Sequence, residues 1–361
     1  MLKKIITVGL VLSLSLSSAL ACTGLQVKTE DGASISGRTL EFGIFLPTSA
    51  ISVPRNYSFI GKTPKGDGKK WKSKYASIGV LIGSEKLILD GVNEKGLTCG
   101  MFYLPGYASY PETTKKNQNI SMSTSDFNQW VLSQFKNVDE VKKAIVNGEV
   151  AFSKVLTPGF PPSVQPFHFL ISDKNGKSIV VEPIDGKVVV SDNPVGVLTN
   201  SPTFDWHMTN LKNYVNLRAV NSKPITINGE KFDALGQGTG MLGLPGDYTP
   251  PSRFVRAVAF SATAIPEKNA QQGVYQVFHL LNNFDIPVGI ARTVHKGVIY
   301  SDYTMLTTVR DSQNLKFYYT TYEDQTIKML DLNEVDKNAK EIKILSTESK
   351  QHYVDVSSKL K

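Results

Sequence analysis

Cys22 follows Ala19-Leu20-Ala21 directly, and these small residues stand at the two positions that a signal peptidase reads. If cleavage follows Ala21, Cys22 becomes the first residue of the mature chain and carries both a thiol and a free α-amino group. The thiolate is a strong nucleophile, and an α-amino group with a pKa of about 7.7–8.0 can act as a base near neutral pH. The sequence therefore predicts a nucleophile and its base in one residue, without a histidine.

Residues 1–21 have the three regions of a secretory signal peptide. Lys3 and Lys4 supply the positive start, and an apolar run extends from Ile5 to Leu16. That run is too short to span a bilayer as a helix, which takes about 20 apolar residues. No later segment is long and apolar enough, so we expect an exported protein, periplasmic or secreted, without stable membrane insertion.

A lipoprotein signal is the competing interpretation of the same segment. In mature lipoproteins the cysteine after the signal is lipidated and its amino group is acylated. That route usually has Leu three residues before the cysteine, where this chain has Ala19. Acylation would remove the proposed base, so the two interpretations exclude each other. The non-enzyme alternative, which stays open, is an exported lipoprotein or binding protein that has the fold of the enzyme without its catalytic activity.

The composition is that of a globular protein with a mild positive charge. Of the 361 residues, 41% are hydrophobic, which is enough for a large core. The net charge of +8 falls to +6 without Lys3 and Lys4, which suits anionic small substrates and gives no argument for nucleic acid. A cluster of lysines among glycines and a proline predicts either a solvated loop or a positive lip that attracts carboxylates: Lys62, Lys65, Lys69, Lys70, Lys72 and Lys74.

The chain has only two cysteines, Cys22 and Cys99. A disulfide between them would suit an exported protein, but a catalytic Cys22 must stay free. Cys99 lies in an apolar, strand-like run from Gly96 to Phe102. A free cysteine in such a run usually behaves as a small buried hydrophobic residue, and we expect this of Cys99.

Strand and helix patterns alternate in long blocks. Helical spacing after a start signal, or between polar boundaries, predicts helices at 123–135, 139–146, 204–217, 253–264 and 270–284. Short apolar or alternating runs predict strands at 25–28, 49–54, 76–82, 87–92, 167–173, 178–182, 187–191, 195–198, 298–300, 305–309, 315–320 and 327–330. We expect the polar end to form an edge strand or to fray. No linker divides residues 22–361, so one α+β domain of antiparallel sheets covered by helices is predicted.

Several familiar site patterns fail. Gly238–Gly243 fits GxGxxG, but no apolar strand precedes it and Pro245 follows where a helix should begin. Asn175–Ser178 resembles the end of a phosphate-binding loop, but the first glycine of that motif would fall at Ile171. No GxSxG is present, and the five histidines form no HExxH. We therefore expect no metal and no cofactor.

Five blocks of the sequence, beginning with Cys22 itself and following the same order along the chain, resemble the choloylglycine hydrolase family, which contains bile salt hydrolases and penicillin V acylases. The blocks are Cys22–Gly24 with Gly37–Phe42, Asn93–Leu97, Pro105–Ala108, Leu198–Asp205, and Leu244–Asp247 leading into Pro251–Phe254. This resemblance implies a four-layer αββα N-terminal nucleophile hydrolase fold. It implies hydrolysis of a linear, non-peptide amide bond without metal or cofactor, and family members are often homotetramers.

The resemblance also implies a role for each matching residue. Cys22 attacks the amide carbonyl through sulfur, while Arg38, permanently charged, lies beside the thiol and favours the thiolate. The side-chain NH of Asn200 and the backbone NH of Tyr103 donate to the oxyanion, and such a donor is worth about 3–4 kcal/mol in the transition state. Arg253 completes the charge network. Taken singly, each residue could instead have an ordinary structural role.

Glu41 stands where the family usually has Asp, whose carboxylate contacts the amino group of the nucleophile. Glu keeps the charge and adds a methylene group, so either the backbone or the amine must shift. The hypothesis is that Glu41 fills the same role.

Tyr103 carries the information on substrate, because bile salt hydrolases tend to have Asn there and penicillin V acylases have Tyr. On that residue alone the chain leans to the acylase side. Some exported members prefer long-chain N-acyl homoserine lactones, the second candidate. Such substrates would need an apolar acyl pocket. Its candidate residues, for which core packing is an equal explanation, are Phe42, Phe45, Leu46, Phe102 and Leu104.

Overall fold

The computed structural model describes residues 21–83, 87–156, 164–295 and 297–360. The predicted signal peptide lies, except for its last residue, outside these residues. None of the described helices is long and apolar enough to cross a bilayer.

The strands are numbered in chain order, in two halves separated by the first pair of helices. The first half comprises β1 Ala21–Lys28, β2 Ser34–Phe42, β3 Thr48–Val53, β4 Ser58–Thr63, β5 Gly66–Lys72, β6 Ser77–Ile82, β7 Leu87–Asn93, β8 Thr98–Tyr103 and β9 Ser121–Ser123. The second half comprises β10 Ala151–Ser153, β11 Phe167–Ser172, β12 Ser178–Ile184, β13 Lys187–Asp192, β14 Ile225–Ile227, β15 Glu230–Phe232, β16 Ala291–His295, β17 Val298–Asp311, β18 Lys316–Thr321, β19 Asp324–Asp331 and β20 Lys343–Ser346.

The α-helices of the described residues are α1 Thr124–Gln134, α2 Val138–Val146, α3 Phe204–Leu211, α4 Pro250–Thr263 and α5 Ala270–Leu281. The capping box expected at α1 is present, because the Ser123 side chain accepts from the helix backbone and Asp126 reaches back to the backbone of Ser123. Asn137 caps α2, and Gly148 follows its end with a φ of 72°. Short 3₁₀ turns extend α3 and α5 at Lys212–Tyr214 and Asn282–Phe284.

Two large antiparallel sheets form the centre of the molecule. The first has the order β1-β2-β17-β18-β19, with β16 also paired to β17. The second has the order β13-β12-β11-β8-β7-β6-β3-β20. Strand β20, near the end of the chain, is an edge strand, as expected of the polar end, whereas residues 347–360 form no strand.

The two sheets face each other and a helical layer covers the outer face of each. Between the sheets, Arg38 of β2 donates to the Met101 carbonyl of β8 at 2.7 Å. Helix α5 covers the first sheet so closely that a Cβ at Gly37 would lie 2.6 Å from Val277. Helix α1 covers the second, where Asn128 donates to the backbone of β7. The fold is the predicted four-layer αββα sandwich.

Two predicted elements were wrong in kind or extent. Residues 195–198 are not a strand, because Gly196 turns the backbone at a φ of 64°, and only Leu198 makes an isolated bridge, to Gly24. The α-helix within the predicted 204–217 ends at Leu211, and a 3₁₀ turn continues it only to Tyr214. Val215, placed on its apolar face by the helical period, is 85% exposed, so the continuation has no core to bury that face against.

The lysine cluster also differs from the predicted loop, because it lies on the β4–β5 hairpin. Phe59 pairs with Trp71 across the hairpin, and their rings stack with centroids 5.3 Å apart. Gly66 makes the turn with a φ of 99°. The alternation of strand side chains then places most of the lysines outward, and their solvated state agrees with that part of the prediction.

Candidate functional site

Cys22 lies on β1, and its pairing with β2 determines what surrounds the sulfur. Cys22 is opposite Leu40, and Gly24 is opposite Arg38, so these residues share the face that looks toward the second sheet. A Cβ at residue 24 would lie 2.6 Å from the ring of Phe102. Glycine at this position therefore lets the two sheets approach next to the thiol, which is 1% exposed.

Arg38 contacts the thiol directly, as expected. Its Nη2 lies 2.8 Å from Cys22 Sγ, and its Nη1 donates to the Met101 carbonyl at 2.7 Å. The guanidinium lies 4.5 Å from the centre of the Phe102 ring, a cation–π contact. Because the side chain is 1% exposed and held on three sides, its charge is fixed beside the sulfur.

Asn200 holds the backbone of the nucleophile. Its Oδ1 accepts a hydrogen bond from the Cys22 backbone nitrogen at 2.8 Å, and its Nδ2 donates to the Tyr103 carbonyl at 2.9 Å. A side-chain hydrogen bond from Asn200 also contributes to lowering the thiol pKa. The amide thus reaches both the nitrogen and the sulfur side of Cys22, while its predicted donation to an oxyanion stays a prediction.

Tyr103 has its backbone NH directed toward the same region. The next residue, Leu104, donates its NH to the Pro166 carbonyl on the β11 side at 2.6 Å. Successive residues of an antiparallel strand direct their backbone groups to opposite edges, so the NH and the carbonyl of Tyr103 point away from β11. The carbonyl meets Asn200 there, and the NH lies on the same edge, where the oxyanion role requires it.

Arg253 comes from the first turn of α4 and contacts several groups of the site. Its guanidinium donates to the Cys22 carbonyl, to Thr23 Oγ1 at 2.8 Å and to Asn200 Oδ1 at 2.7 Å. Its Nε donates to the Tyr248 carbonyl at 2.9 Å. The residue is 1% exposed, so one buried cation fixes the backbone of Cys22 and the orientation of Asn200.

Glu41 is buried on the opposite face of β2 from Arg38 and Leu40, directly across the strand pair from Ala21. Its Oε1 accepts from Thr304 Oγ1 at 3.0 Å, whereas Oε2 has no hydrogen-bond partner among the described residues. Burial raises the pKa of Glu41 to about 7, and the positive charge of Arg253 offsets part of that rise. The predicted contact with a free α-amine is untested in this chain, where Ala21 precedes Cys22.

The state of the thiol follows from burial and charge together. Burial raises the pKa of Cys22 above its ordinary value of 9.0, and Glu41 adds to the rise. Arg38 is the largest influence in the opposite direction, followed by Arg253. The positive charges therefore favour the thiolate as expected, but in the closed site they do not outweigh burial.

The predicted acyl-pocket residues divide into two groups. Phe42, Phe102 and Leu104 are 3% exposed or less, so core packing, the alternative interpretation, explains all three. Phe45 is 56% exposed and Leu46 is half-buried, on the segment after β2. For these two residues the acyl-pocket role stays a prediction.

Cys99 is free and buried, as predicted, and donates from its Sγ to Asn128 Oδ1 at 2.6 Å. Burial raises its pKa well above 9.0, with the nearby Asp90 carboxylate adding to the effect. Cys22 is also free, so the two cysteines form no disulfide.

Sequence reasoning did not find the buried residues that form hydrogen bonds with the predicted site residues or with their neighbours. They are Thr23, Thr304, His168, Glu182 and His207. From the sequence the histidines were candidates only for a metal site or a papain-like Cys/His pair, and no three His, Cys, Asp or Glu residues in the described part of the chain could hold a metal ion. The closeness of His207 to the block Leu198–Asp205 was the one available signal.

An open pocket of about 480 Å³ adjoins the nitrogen side of Cys22. Its lining includes Ala21, Asn200 and Arg253, and Arg292 and Asp302 contribute charges of opposite sign. Burial raises the pKa of Asp302 to about 6, against the lowering effect of Arg253.

Comparison with known proteins gives one consistent result. A family model described as linear amide C–N hydrolases, choloylglycine hydrolase family, matches residues 22–345. The bile salt hydrolase/transferase of Clostridium perfringens is 38% identical over 325 residues, which cover 89% of this chain and 95% of that protein.

Solved structures are similar over the same length. A variant of the conjugated bile acid hydrolase from Clostridium perfringens has a TM-score of 0.79 and 35% identity, covering 93% of this chain and 100% of its own. The penicillin V acylase from Agrobacterium tumefaciens has a TM-score of 0.72 and 25% identity, covering 90% of each chain.

Proposed function

Because this chain belongs to the choloylglycine hydrolase family and is a linear amide C–N hydrolase, we propose that Cys22 performs the hydrolysis as the first residue of a processed chain. One observation carries this proposal. The sulfur and the backbone nitrogen of Cys22 are each held at 2.8 Å, by Arg38 and by Asn200 respectively. Any buried backbone N–H needs a hydrogen-bond partner, but an ordinary buried cysteine needs no guanidinium on its sulfur, whereas a residue that supplies both nucleophile and base needs its two reacting atoms oriented separately.

The acylation step follows from these contacts. The α-amine takes the thiol proton, and Sγ attacks the carbonyl carbon of the substrate amide. The oxyanion that forms would accept from the Tyr103 backbone NH and the Asn200 amide. As the tetrahedral intermediate collapses, the C–N bond breaks, the α-amine returns the proton to the leaving nitrogen, and the acyl group stays on sulfur as a thioester. Water then releases the acid by the same route.

The direction of the proton transfer indicates where the leaving amine lies. It must be next to the α-nitrogen of Cys22, which is the side occupied by Ala21 in this chain. The open pocket with Arg253, Arg292 and Asp302 adjoins that side. We therefore assign this pocket to the amine part of the substrate, and Phe45 and Leu46 to the apolar acyl part.

The proposed substrate is an acylated amine with an apolar acyl group. Conjugated bile salts and penicillin V are the first candidates, because the relatives are described as enzymes that act on them. The higher identity favours bile salts, while Tyr103 favours penicillin V. A long-chain N-acyl homoserine lactone is the second candidate, supported by the exposed apolar side chain of Phe45 on the segment after β2.

Export, a signal peptide at residues 1–21 and a mature domain of residues 22–361 complete the proposal, in a periplasmic or secreted location. A homotetramer is also proposed. It is supported by apolar side chains that project on the segment between α3 and α4, of which Val215, Ile225, Phe232 and Leu235 are each more than half exposed. Sedimentation of the processed protein at a monomer mass would contradict the tetramer.

The test uses protein that begins at Cys22, incubated in turn with a conjugated bile salt, penicillin V and an N-acyl homoserine lactone. We expect release of the amine from at least one, and none from a Cys22→Ser variant. Cys99→Ser is the matched control, because Cys99 is the other buried thiol and should leave turnover intact. Full activity of Cys22→Ser, or of a chain that keeps Ala21 before Cys22, would refute the mechanism.

A further inference from the structure

Two buried histidines point at consecutive backbone carbonyls beside the nucleophile. His168 Nε2 lies 3.1 Å from the Thr199 carbonyl, and His207 Nε2 lies 2.8 Å from the Asn200 carbonyl. Both rings are fully buried. A buried imidazole that faces a carbonyl oxygen must donate to it, so each ring carries a proton on Nε2.

The other side of His168 is occupied by an acid. Its Nδ1 lies 3.1 Å from Glu182 Oε1, and both residues are almost completely buried. The Glu182 carboxyl also accepts from the Phe204 backbone nitrogen, at 3.1 and 3.2 Å, at the start of α3, where a negative charge is favoured. One proton therefore lies in the hydrogen bond between His168 Nδ1 and Glu182 Oε1. The proton on His168 Nε2 remains directed at the Thr199 carbonyl.

His207 is held differently. Burial lowers its pKa to about 4, so the ring is neutral with its single proton on Nε2. It stacks on Phe254 of α4, with ring centroids 4.7 Å apart and planes 12° apart. Its Nδ1 has no hydrogen-bond partner among the described residues. The stacking fixes the plane of the ring, and the hydrogen bond to Asn200 fixes the direction of its proton.

The segment that these rings hold is attached to the nucleophile at both ends. Leu198 exchanges backbone hydrogen bonds with Gly24 of β1, at 2.7 and 3.1 Å. Asn200 contacts Cys22, Tyr103 and Arg253 through its side chain. Three successive carbonyls, from residue 198 to 200, are thus fixed, and the side chain of Asn200 cannot move without breaking several buried hydrogen bonds.

We propose that His168, with Glu182, and His207 are positioning residues that hold Asn200 where it can donate to the oxyanion. This inference rests on the proposed function, since it assumes that Asn200 is an oxyanion donor. Neither histidine contacts the substrate or exchanges protons with it. Their contribution is to the geometry of the transition state, so it should affect kcat and leave KM almost unchanged.

The first test is kinetic and uses His207. His207→Leu removes the donor to Asn200, and His207→Gln places an amide NH near the position of Nε2. We expect kcat to fall by about tenfold to a hundredfold in the Leu variant, the cost of a misplacement of about 1 Å, and to recover most of that loss in the Gln variant. His279→Leu, at an exposed histidine on α5, is the matched control. Equal kcat in all three variants and the wild type would overturn the proposal.

The second test separates positioning from general distortion. An aldehyde analogue of the acyl group forms a tetrahedral adduct with Cys22 and so needs the oxyanion donors, whereas the free acid product does not. We expect His207→Leu and Glu182→Gln to weaken binding of the aldehyde in proportion to kcat, with binding of the acid retained. Equal loss for both ligands would show that the site as a whole is disturbed, and would overturn the proposal.

The third test does not depend on activity. Nitrogen-15 NMR of the histidine rings in the wild-type protein should show a proton on Nε2 of both His168 and His207. A ring protonated only on Nδ1 at either position would overturn the proposal. If the wild-type protein hydrolysed no amide while these signals were present, the proposed function would fail. The hydrogen bonds from the two histidine rings to the Thr199 and Asn200 carbonyls would still stand.

Discussion

Replacing Glu41 with Gln should stabilise the chain in which Ala21 still precedes Cys22, and this effect should develop as the pH rises from 4.5 to about 7. Burial raises the pKa of Glu41 from 4.5 to about 7, although Arg253 and Arg38 oppose the rise. The folded state therefore keeps the proton while the unfolded state loses it. At 1.36 kcal/mol per pKa unit, the free energy of unfolding should fall by about 3 kcal/mol as the pH rises through this interval.

The sign follows from which state binds the proton more tightly. The contribution of Glu41 to stability is fully present below its ordinary pKa of 4.5 and is lost as the pH rises to about 7. The glutamine of the variant would keep the shape of the side chain and an oxygen that can accept from Thr304, but it does not titrate. The variant should therefore be more stable than the wild type by about 3 kcal/mol near pH 8, with little difference near pH 4.

Urea unfolding at these two pH values measures the effect, on chains that retain Ala21. Glu230→Gln, at an exposed carboxylate on β15, is the control and should leave the pH dependence unchanged. If Glu41→Gln kept the pH dependence of the wild type, the buried carboxyl would not be the group that loses its proton. The argument that burial raises the pKa of Glu41 would then be refuted.

Cleavage after Ala21 should remove the stabilising effect of the Glu41→Gln substitution. Cleavage after Ala21 creates an α-ammonium group on Cys22, and a positive charge near Glu41 lowers the pKa of the carboxyl and gives Oε2 a partner. In the processed enzyme Glu41→Gln should therefore bring no stability and should lower kcat. Wild-type turnover in the processed variant would show that Glu41 does not orient the amine.

Three further predictions follow from the buried contacts. Cys22→Ala should abolish hydrolysis, by up to about a millionfold in kcat, while the circular dichroism spectrum stays that of the wild type, and a residual rate close to wild type would exclude the thiol as nucleophile. Arg38→Met removes the positive charge 2.8 Å from Sγ and should raise the thiol pKa. Alkylation of Cys22 by iodoacetamide at pH 8 should then slow by about tenfold for each unit by which the thiol pKa rises. Arg55→Met, at a partly exposed arginine, is the control and should leave the alkylation rate unchanged. Asp90→Ala leaves Arg310 buried without its carboxylate partner and should lower the free energy of unfolding by about 3–5 kcal/mol. A decrease below about 1 kcal/mol, measured by urea unfolding, would mean that Arg310 finds another partner.

The sequence predicted well those features that depend on local patterns. The helix predicted from residue 123 and the strands predicted at 167–173 and 178–182 are present as α1, β11 and β12, because capping and turn chemistry act within a few residues. The contacts of Arg38 and Asn200 with Cys22 agree with the family resemblance. Their sequence separations of 16 and 178 residues lie beyond any local pattern.

The rest depended on tertiary structure that no local pattern contains. Phe102 and Leu104 have the composition of an acyl pocket, but the close approach of the sheets at Gly24 buries Phe102 against Arg38. The lysine cluster resembles a loop until the pairing of Phe59 with Trp71 makes it a hairpin. His168 and His207 show no motif, because their role arises only where β11, α3 and the segment at Asn200 meet.

The mass of the N-terminal peptide of active enzyme, purified from a host that exports it, tests the central claim most directly. The account predicts a chain that begins at Cys22 with an unmodified amine, and a thioester on that same peptide when a slow substrate is present. A first residue other than Cys22, or a Cys22 whose nitrogen or sulfur carries a lipid in fully active protein, would contradict it.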